Sequence, residues 1–125
     1  MVSRLLAAFN ARELDDWMVL VTENLEVESR FSSVGGTIYR GREGVASWWR
    51  DLAEAWEPIE VELESSRDVG PDQTVVLITL HGKGRESRLS LDEPVALRWQ
   101  WCGQCLARME YMDRDEAELI VRAGA

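Results

Sequence analysis

Apolar positions recur with a helical period in three stretches of the first half of the chain, which predicts three helices. The stretches cover residues 3–9, 10–21 and 42–56. Their apolar sides consist of Leu5, Leu6 and Phe9, then Leu14, Trp17, Met18 and Val21, and last Val45, Trp49, Leu52 and Trp56. Asn10, with Glu13 three residues later, has the form of a capping box, so we expect the second helix to open at Asn10.

Alternating or β-branched runs predict strands in the remainder of the chain. The predicted strands cover residues 25–31, 37–39, 59–69, 74–81, 94–101 and 106–112. A last helix is predicted over residues 114–123, where Asp113 with Glu116 has the form of a second capping box. Helices that precede antiparallel hairpins favour an α+β fold.

The simplest closure for these elements is a curved antiparallel sheet that three helices cover on one face, followed by a short C-terminal helix. All of it fits one domain over residues 1–125. Glu60, Glu62 and Glu64 alternate along one strand, so we expect them on the opposite face, toward water or a partner. The outward positions of a neighbouring strand could support a homodimer through this outer sheet face. These positions are Pro94, Ala96, Arg98 and Gln100.

Composition excludes several kinds of partner. The chain has 125 residues and a formal net charge of -9, so we expect neither nucleic acid nor an anionic membrane surface to bind it. A single histidine excludes a multi-histidine metal cluster within one chain, and we expect no metal and no other cofactor. No apolar run suffices for a signal peptide or a spanning helix, which predicts a cytoplasmic protein. Cys102 and Cys105 flank a predicted turn, where two reduced thiols are favoured over a disulfide or half of a zinc site.

Four short segments of the chain resemble a known family in their amino-acid sequence and in their order along the chain. They are residues 9–15, 39–45, 48–49 and 110–117. Together they resemble the SnoaL-like branch of the nuclear-transport-factor-two-like superfamily, over nearly the whole chain. The resemblance implies a cone, in which a curved sheet wraps around a pocket that helices close. Members include ketosteroid isomerase, polyketide cyclases, limonene epoxide hydrolase and non-catalytic modules, so an activity must be argued from individual residues.

Two of these activities find little support in the sequence. Ketosteroid isomerase needs a carboxylate base and an oxyanion hole formed by a tyrosine and a protonated aspartic acid. By resemblance, these positions fall near Ser29, at Leu5 and near Leu97, so we do not expect that reaction. Epoxide hydrolysis resembles an Asp-Arg-Asp arrangement, for which the nearest residues are Asp92 with Glu93, and Arg98. A surface arginine that faces a glutamate is the simpler interpretation of Arg98.

His81 is the candidate catalytic residue, by resemblance to polyketide cyclases that use an aspartate and a histidine in the cavity. It shares a strand face with Val75, Leu77 and Thr79, and the resemblance places that face inside the cone. An imidazole that titrates near neutrality suits proton transfer at a carbonyl. Its candidate partners are Asp92, Glu28 and Tyr111. A solvated or hydrogen-bonded histidine at a strand end is the alternative.

The six tryptophans suggest an aromatic-lined cavity or an aromatic contact surface. By resemblance, most of them converge on the cone. The predicted ligand-contacting residues are Trp17, Ser29, Trp49, Trp56, Thr79, Trp99, Trp101 and Tyr111. Such a pocket suits a small apolar or aromatic molecule, or a cation held by aromatic faces.

Two hypotheses on function therefore stay open. The first is a protein that binds a small molecule, with cofactor-independent isomerase, cyclase or hydrolase chemistry on an apolar carbonyl compound as an option. The second is a non-catalytic binding or dimerisation module whose tryptophans fill the cone.

Overall fold

The structure, a computed structural model, describes residues 2–29, 37–86 and 89–123. Within them, four helices and six strands follow one another: α1 (Val2–Asn10), α2 (Leu14–Met18), β1 (Val21–Ser29), β2 (Thr37–Arg40), α3 (Gly41–Ala55), β3 (Trp56–Asp68), β4 (Gln73–Gly84), β5 (Ser90–Cys102), β6 (Cys105–Met112) and α4 (Arg114–Ala123). Each predicted helix and strand has a counterpart here. The predicted strand over residues 25–31 continues outside the described residues.

The strands form one sheet in the order β2-β1-β6-β5-β4-β3. β3, β4, β5 and β6 pair with their chain neighbours in antiparallel fashion, as β1 does with β2. The α+β class is thereby confirmed, with one difference: β1 runs parallel to β6. A parallel pair needs a long crossover, which the chain between β1 and β6 supplies, and alternation along a strand carries no information on its partner's direction.

The main core lies between the sheet and the first three helices. Helix α3 buries Val45, Trp48, Trp49 and Leu52 on this side. The sheet contributes alternate residues of its central strands, including Ile78, Leu80, Val95 and Leu97. Apolar side chains at these spacings form one side of a helix and one face of a strand, so their burial closes the inner face of the sheet.

The junction between α1 and α2 differs from the expected capping box. Asn10 ends α1, and its side chain instead binds the backbone of Val61 on the edge strand β3. Its Nδ2 donates to the Val61 carbonyl, and its Oδ1 accepts from the Val61 N–H, both at 2.8 Å. Arg12 adopts a left-handed φ of 59°, and Glu13 donates its N–H to the Ala8 carbonyl at 3.0 Å. This is a Schellman ending of α1, so α2 starts only at Leu14.

Helix α4 covers part of the outer face of the sheet. Ala117 packs in a second apolar cluster with Val75, Leu77 and Ala96. The predicted cap of α4 is present, since the Glu116 N–H donates to Asp113 Oδ2 at 3.0 Å. Ala96 was an expected contact of the predicted homodimer face, but α4 buries it within the chain. No helix in the described ranges is long and apolar enough to span a membrane.

Candidate functional site

A narrow cavity lies between the helices and the inner face of the sheet. Its volume is about 60 Å³. The lining residues are Leu6, Phe9, Trp17, Trp48 and Leu52 from the helices, and Glu28, Ser29, Ile59, Val61, Ile78, Leu80, Val95, Leu97, Trp99, Met109 and Tyr111 from the strands. Most of this wall is aliphatic or aromatic, so the cavity favours apolar contents.

The polar part of the wall is formed where β1 and β6 end side by side. Val27 stands opposite Met109 in this parallel pair, which brings Ser29 and Tyr111 to the same end. Ser29 is buried, with 2% of its surface exposed. Glu28 accepts a hydrogen bond from the Tyr111 N–H through Oε1 at 3.1 Å and also lines the cavity.

Three of the six tryptophans form part of the cavity wall. They are Trp17, Trp48 and Trp99. Trp17 and Trp99 were among the predicted ligand-contacting residues, whereas Trp48 was not. The signal for it was present in the sequence, because Val45, Trp48, Trp49 and Leu52 have the spacing of one broad helix face.

The other predicted aromatic contacts lie outside this cavity wall. Trp49 is buried behind it, with its ring 5.4 Å from Phe9 and 5.8 Å from Trp17 between centroids. Trp101 packs edge-on against Trp99 and donates its Nε1 hydrogen to Thr74 Oγ1 at 2.9 Å. Trp56 is half-buried at the start of β3.

Several buried indole groups have no acceptor. The Nε1 atoms of Trp48, Trp49 and Trp99 are buried and lack a hydrogen-bond partner in the described part of the chain. Two of these rings, Trp48 and Trp99, belong to the cavity wall. Native proteins leave few buried donors unpaired, so each such group calls for a physical reason.

His81 lies on the outer face of the sheet, and the expectation that it faces the cavity was wrong. Its Nδ1 lies 2.6 Å from Asp92 Oδ1 and its Nε2 2.9 Å from Glu62 Oε1. The hydrogen bond with Glu62, and to a smaller extent the one with Asp92, raises the pKa of His81 above its ordinary value. Asp92 was one of its expected partners, and Glu62 was missed. With 42% of its side chain exposed, His81 acts as a surface bridge between β3 and β5.

Burial on both faces of β4 explains the error. Val75 and Val76, which face opposite ways, are both fully buried. The odd-numbered residues Val75 and Leu77 of β4 pack against α4. The even-numbered residues Ile78 and Leu80 line the cavity. Thr79 therefore lies on the outer side with His81 and does not line the cavity. A strand that is apolar on both faces does not reveal which face is inside.

The remaining candidate constellations are not assembled as catalytic sites. Asp92 stands opposite His81 in the β4–β5 ladder, whereas Arg98 stands opposite Val75 at the other end. In the described ranges, no group of three or more His, Cys, Asp or Glu residues is placed to hold a metal ion. Cys102 and Cys105 face each other across the β5–β6 turn as free thiols.

Comparison with protein families gives a match over most of the chain. The sequence model of the SnoaL-like domain matches residues 2–108. The chain belongs to the SnoaL-like family. A search of curated proteins finds no match to this SnoaL-like chain.

Solved structures share the fold of this SnoaL-like domain. A nuclear-transport-factor-two-like protein of Burkholderia pseudomallei has a TM-score of 0.79 and 14% identity, over 96% of this chain and 92% of that chain. A protein of Catenulispora acidiphila with a ketosteroid isomerase-like fold, in complex with trimethylamine, has a TM-score of 0.78 and 14% identity, over 98% and 91%. A Mycobacterium tuberculosis protein in complex with estradiol-17beta-hemisuccinate has a TM-score of 0.73 and 13% identity, over 91% and 92%. At such identities the likeness establishes the fold alone.

Proposed function

We propose that this SnoaL-like protein binds a small, apolar, flat molecule in the cavity between its helices and its sheet. The observation that carries the proposal is the wall itself: aromatic and aliphatic side chains on both sides, with Glu28, Ser29 and Tyr111 at one end. Apolar walls with a few convergent polar groups are typical of small-molecule sites. Ligand complexes occur among the similar structures, with trimethylamine and with estradiol-17beta-hemisuccinate, and support a ligand-binding use of the fold.

The size of the cavity requires its wall to move during uptake. A volume of about 60 Å³ is well below the several hundred Å³ of ordinary ligand pockets. The wall contributed by α1 consists of Leu6 and Phe9, and the side chain of Asn10 holds the end of α1 to β3 through its two hydrogen bonds with Val61. We therefore place the opening at α1, where displacement of the helix would break these two hydrogen bonds.

Proton transfer to or from such a ligand would use Glu28 and Tyr111. They are the titratable side chains in the described cavity wall, and the Glu28 carboxylate lies against the Tyr111 backbone. Neither group needs a cofactor to exchange a proton with a carbonyl compound. His81 takes no part, because the sheet separates it from the cavity.

Ligand binding is tested by tryptophan fluorescence and by melting temperature with flat neutral compounds such as 1-indanone, naphthalene and fluorenone. We expect quenching and a higher melting temperature with at least one of them, because Trp17, Trp48 and Trp99 line the site. Val95→Phe fills the cavity and should abolish both effects. Thr79→Phe, on the opposite face of the sheet, is the matched control and should preserve them. If no compound produces either effect in the unaltered protein, the proposal fails.

A non-catalytic module whose own side chains fill the cone is the second candidate. The small cavity and the close packing of Phe9, Trp17, Trp48 and Trp49 favour it. It predicts no response to any ligand of the panel.

The homodimer through the outer sheet face belongs to this second candidate. Helix α4 already occupies part of that face, where its Arg114 pairs with Glu64. Glu60 and Glu62 are exposed. Sedimentation tests it directly, since a monomer at tens of micromolar would count against the interface. The cytoplasmic location stays a prediction that cell fractionation can test.

A further inference from the structure

Two indole N–H groups in the cavity wall have no acceptor in the described part of the chain. Trp48 reaches the wall from α3 and Trp99 from β5, so the two rings approach the cavity from the helix side and the sheet side. Trp48 is 7% exposed and Trp99 is 1% exposed. Bulk water therefore does not serve as a general acceptor for either group.

The side chains around the two indole groups provide few hydrogen-bond acceptors. Most side chains of the wall are aliphatic or aromatic and carry no acceptor. Glu28 already accepts from the Tyr111 backbone, and Ser29 and Tyr111 have interactions of their own. A buried donor without a partner loses the hydrogen bond that it made to water in the unfolded chain. Both rings border the cavity, so an acceptor atom of a molecule held there lies beside both of them.

We infer that Trp48 and Trp99 are specificity-determining residues, which donate indole hydrogen bonds to acceptor atoms of a neutral ligand. The inference rests on the proposed ligand-binding function and narrows its ligand class. A hydrocarbon fills the cavity but leaves both donors unpaired. An anionic ligand meets the Glu28 carboxylate at the polar end, and a ligand rich in donors finds few acceptors in this wall.

The chain supplies two internal controls. Trp49 is adjacent to Trp48 on α3, and its Nε1 is also buried without a partner, but its ring is not part of the cavity wall. Trp101 already donates to Thr74. A ligand in the cavity should therefore form new hydrogen bonds with Trp48 and Trp99 and leave the indole protons of Trp49 and Trp101 without a new acceptor.

The experiment compares 1-indanone with indane, two neutral molecules of similar size that differ in one carbonyl group. We expect 1-indanone to bind about ten times more tightly, the effect of one buried hydrogen bond. Trp48→Phe and Trp99→Phe keep an aromatic ring but remove the donor, so at least one of them should bring the affinity ratio close to one. Trp49→Phe should leave the ratio unchanged. Melting curves without ligand establish that each variant is folded.

A spectroscopic arm requires no substitution in the protein that binds the ligand. With ¹⁵N-labelled tryptophan, 1-indanone should move the indole proton resonance of Trp48 or Trp99 downfield, as hydrogen bonding does, whereas indane should not. Equal affinity for both compounds, or equal shifts with both, overturns the inference and leaves the proposed function standing. If neither compound binds and the wider panel also fails, the proposed function falls and takes the inference with it.

Discussion

His81 Nδ1 lies 2.6 Å from Asp92 Oδ1, directly across the β4–β5 ladder on the outer face of the sheet. The other ring nitrogen meets Glu62 on β3, so one imidazole joins three neighbouring strands. Two carboxylates on one ring favour the imidazolium form. The single histidine of the chain is therefore a cross-strand bridge on the surface, on the opposite side of the sheet from the cavity.

The first prediction concerns pH and His81. Since hydrogen bonds to Glu62 and Asp92 raise its pKa in the folded state, the stabilisation is fully present below the unfolded pKa of about 6.5 and is lost as pH rises through the higher folded value. The difference in unfolding free energy between the native protein and His81→Gln should thus be largest near pH 5.5 and shrink toward pH 9. Urea unfolding across this range measures it. An NMR titration that gives His81 a pKa at or below 6.5 would contradict the prediction.

The second prediction concerns the attachment of α1 to the edge strand. Asn10→Ala removes both hydrogen bonds to the Val61 backbone, which should lower the free energy of unfolding by about 1–2 kcal/mol. Asn24→Ala, at an exposed position of β1, is the control and should change it by less than about 0.5 kcal/mol. Denaturant unfolding compares the two. Equal effects would show that the side chain of Asn10 does not hold α1 in place.

The third prediction concerns Arg12, whose guanidinium lies 5.2 Å from the ring centroids of both Phe9 and Trp49. Its backbone is left-handed, where glycine is favoured by about 1 kcal/mol over other residues. Arg12→Ala should lower the free energy of unfolding by about 0.5–1 kcal/mol, because the cation–π contacts with Phe9 and Trp49 are lost. Arg12→Gly should stay close to the unaltered protein, since relief of the backbone offsets that loss. The order Gly above Ala is the outcome to check by thermal unfolding.

The fourth prediction concerns the anchor of α4. Arg114 donates from Nη1 to the carbonyls of Ile78 and Val95, at 3.1 and 3.0 Å, and from Nη2 to Glu64. Arg114→Ala should cost about 2–3 kcal/mol of unfolding free energy, because it removes charge-assisted hydrogen bonds to the sheet. Arg122, on the same helix, has a side chain that is 78% exposed, and its Nη2 lies 3.9 Å from Glu118 Oε2.

Arg122→Ala is therefore the matched control for Arg114→Ala. Its expected effect is below about 0.5 kcal/mol, since an exposed ion pair contributes little. Denaturant unfolding of both variants measures the difference, and an equally large loss with Arg122→Ala would show that the effect is not specific to the Arg114 anchor.

Most elements of the fold follow from local patterns. The helix over 114–123 has the predicted ends, and the third helix has nearly the predicted ones, because periodicity and turn residues act within a few positions of the chain. The candidate site follows less well. Four of the predicted ligand-contacting residues lie in the cavity wall, namely Trp17, Ser29, Trp99 and Tyr111. The direction of a side chain near the end of a helix or strand depends on packing between distant parts of the chain, which local patterns do not contain.

The sequence by itself determined the class of fold, the family and the aromatic character of the core, because these follow from periodicity, local motifs and composition. Only the tertiary structure decided which face of β4 is inside. Both of its faces are apolar, since α4 covers Val75 and Leu77 while the cavity meets Ile78 and Leu80. The period of a strand separates its two faces but does not order them, and long-range packing makes that choice. For this reason His81 lies on the outer surface of the sheet and not in the cavity.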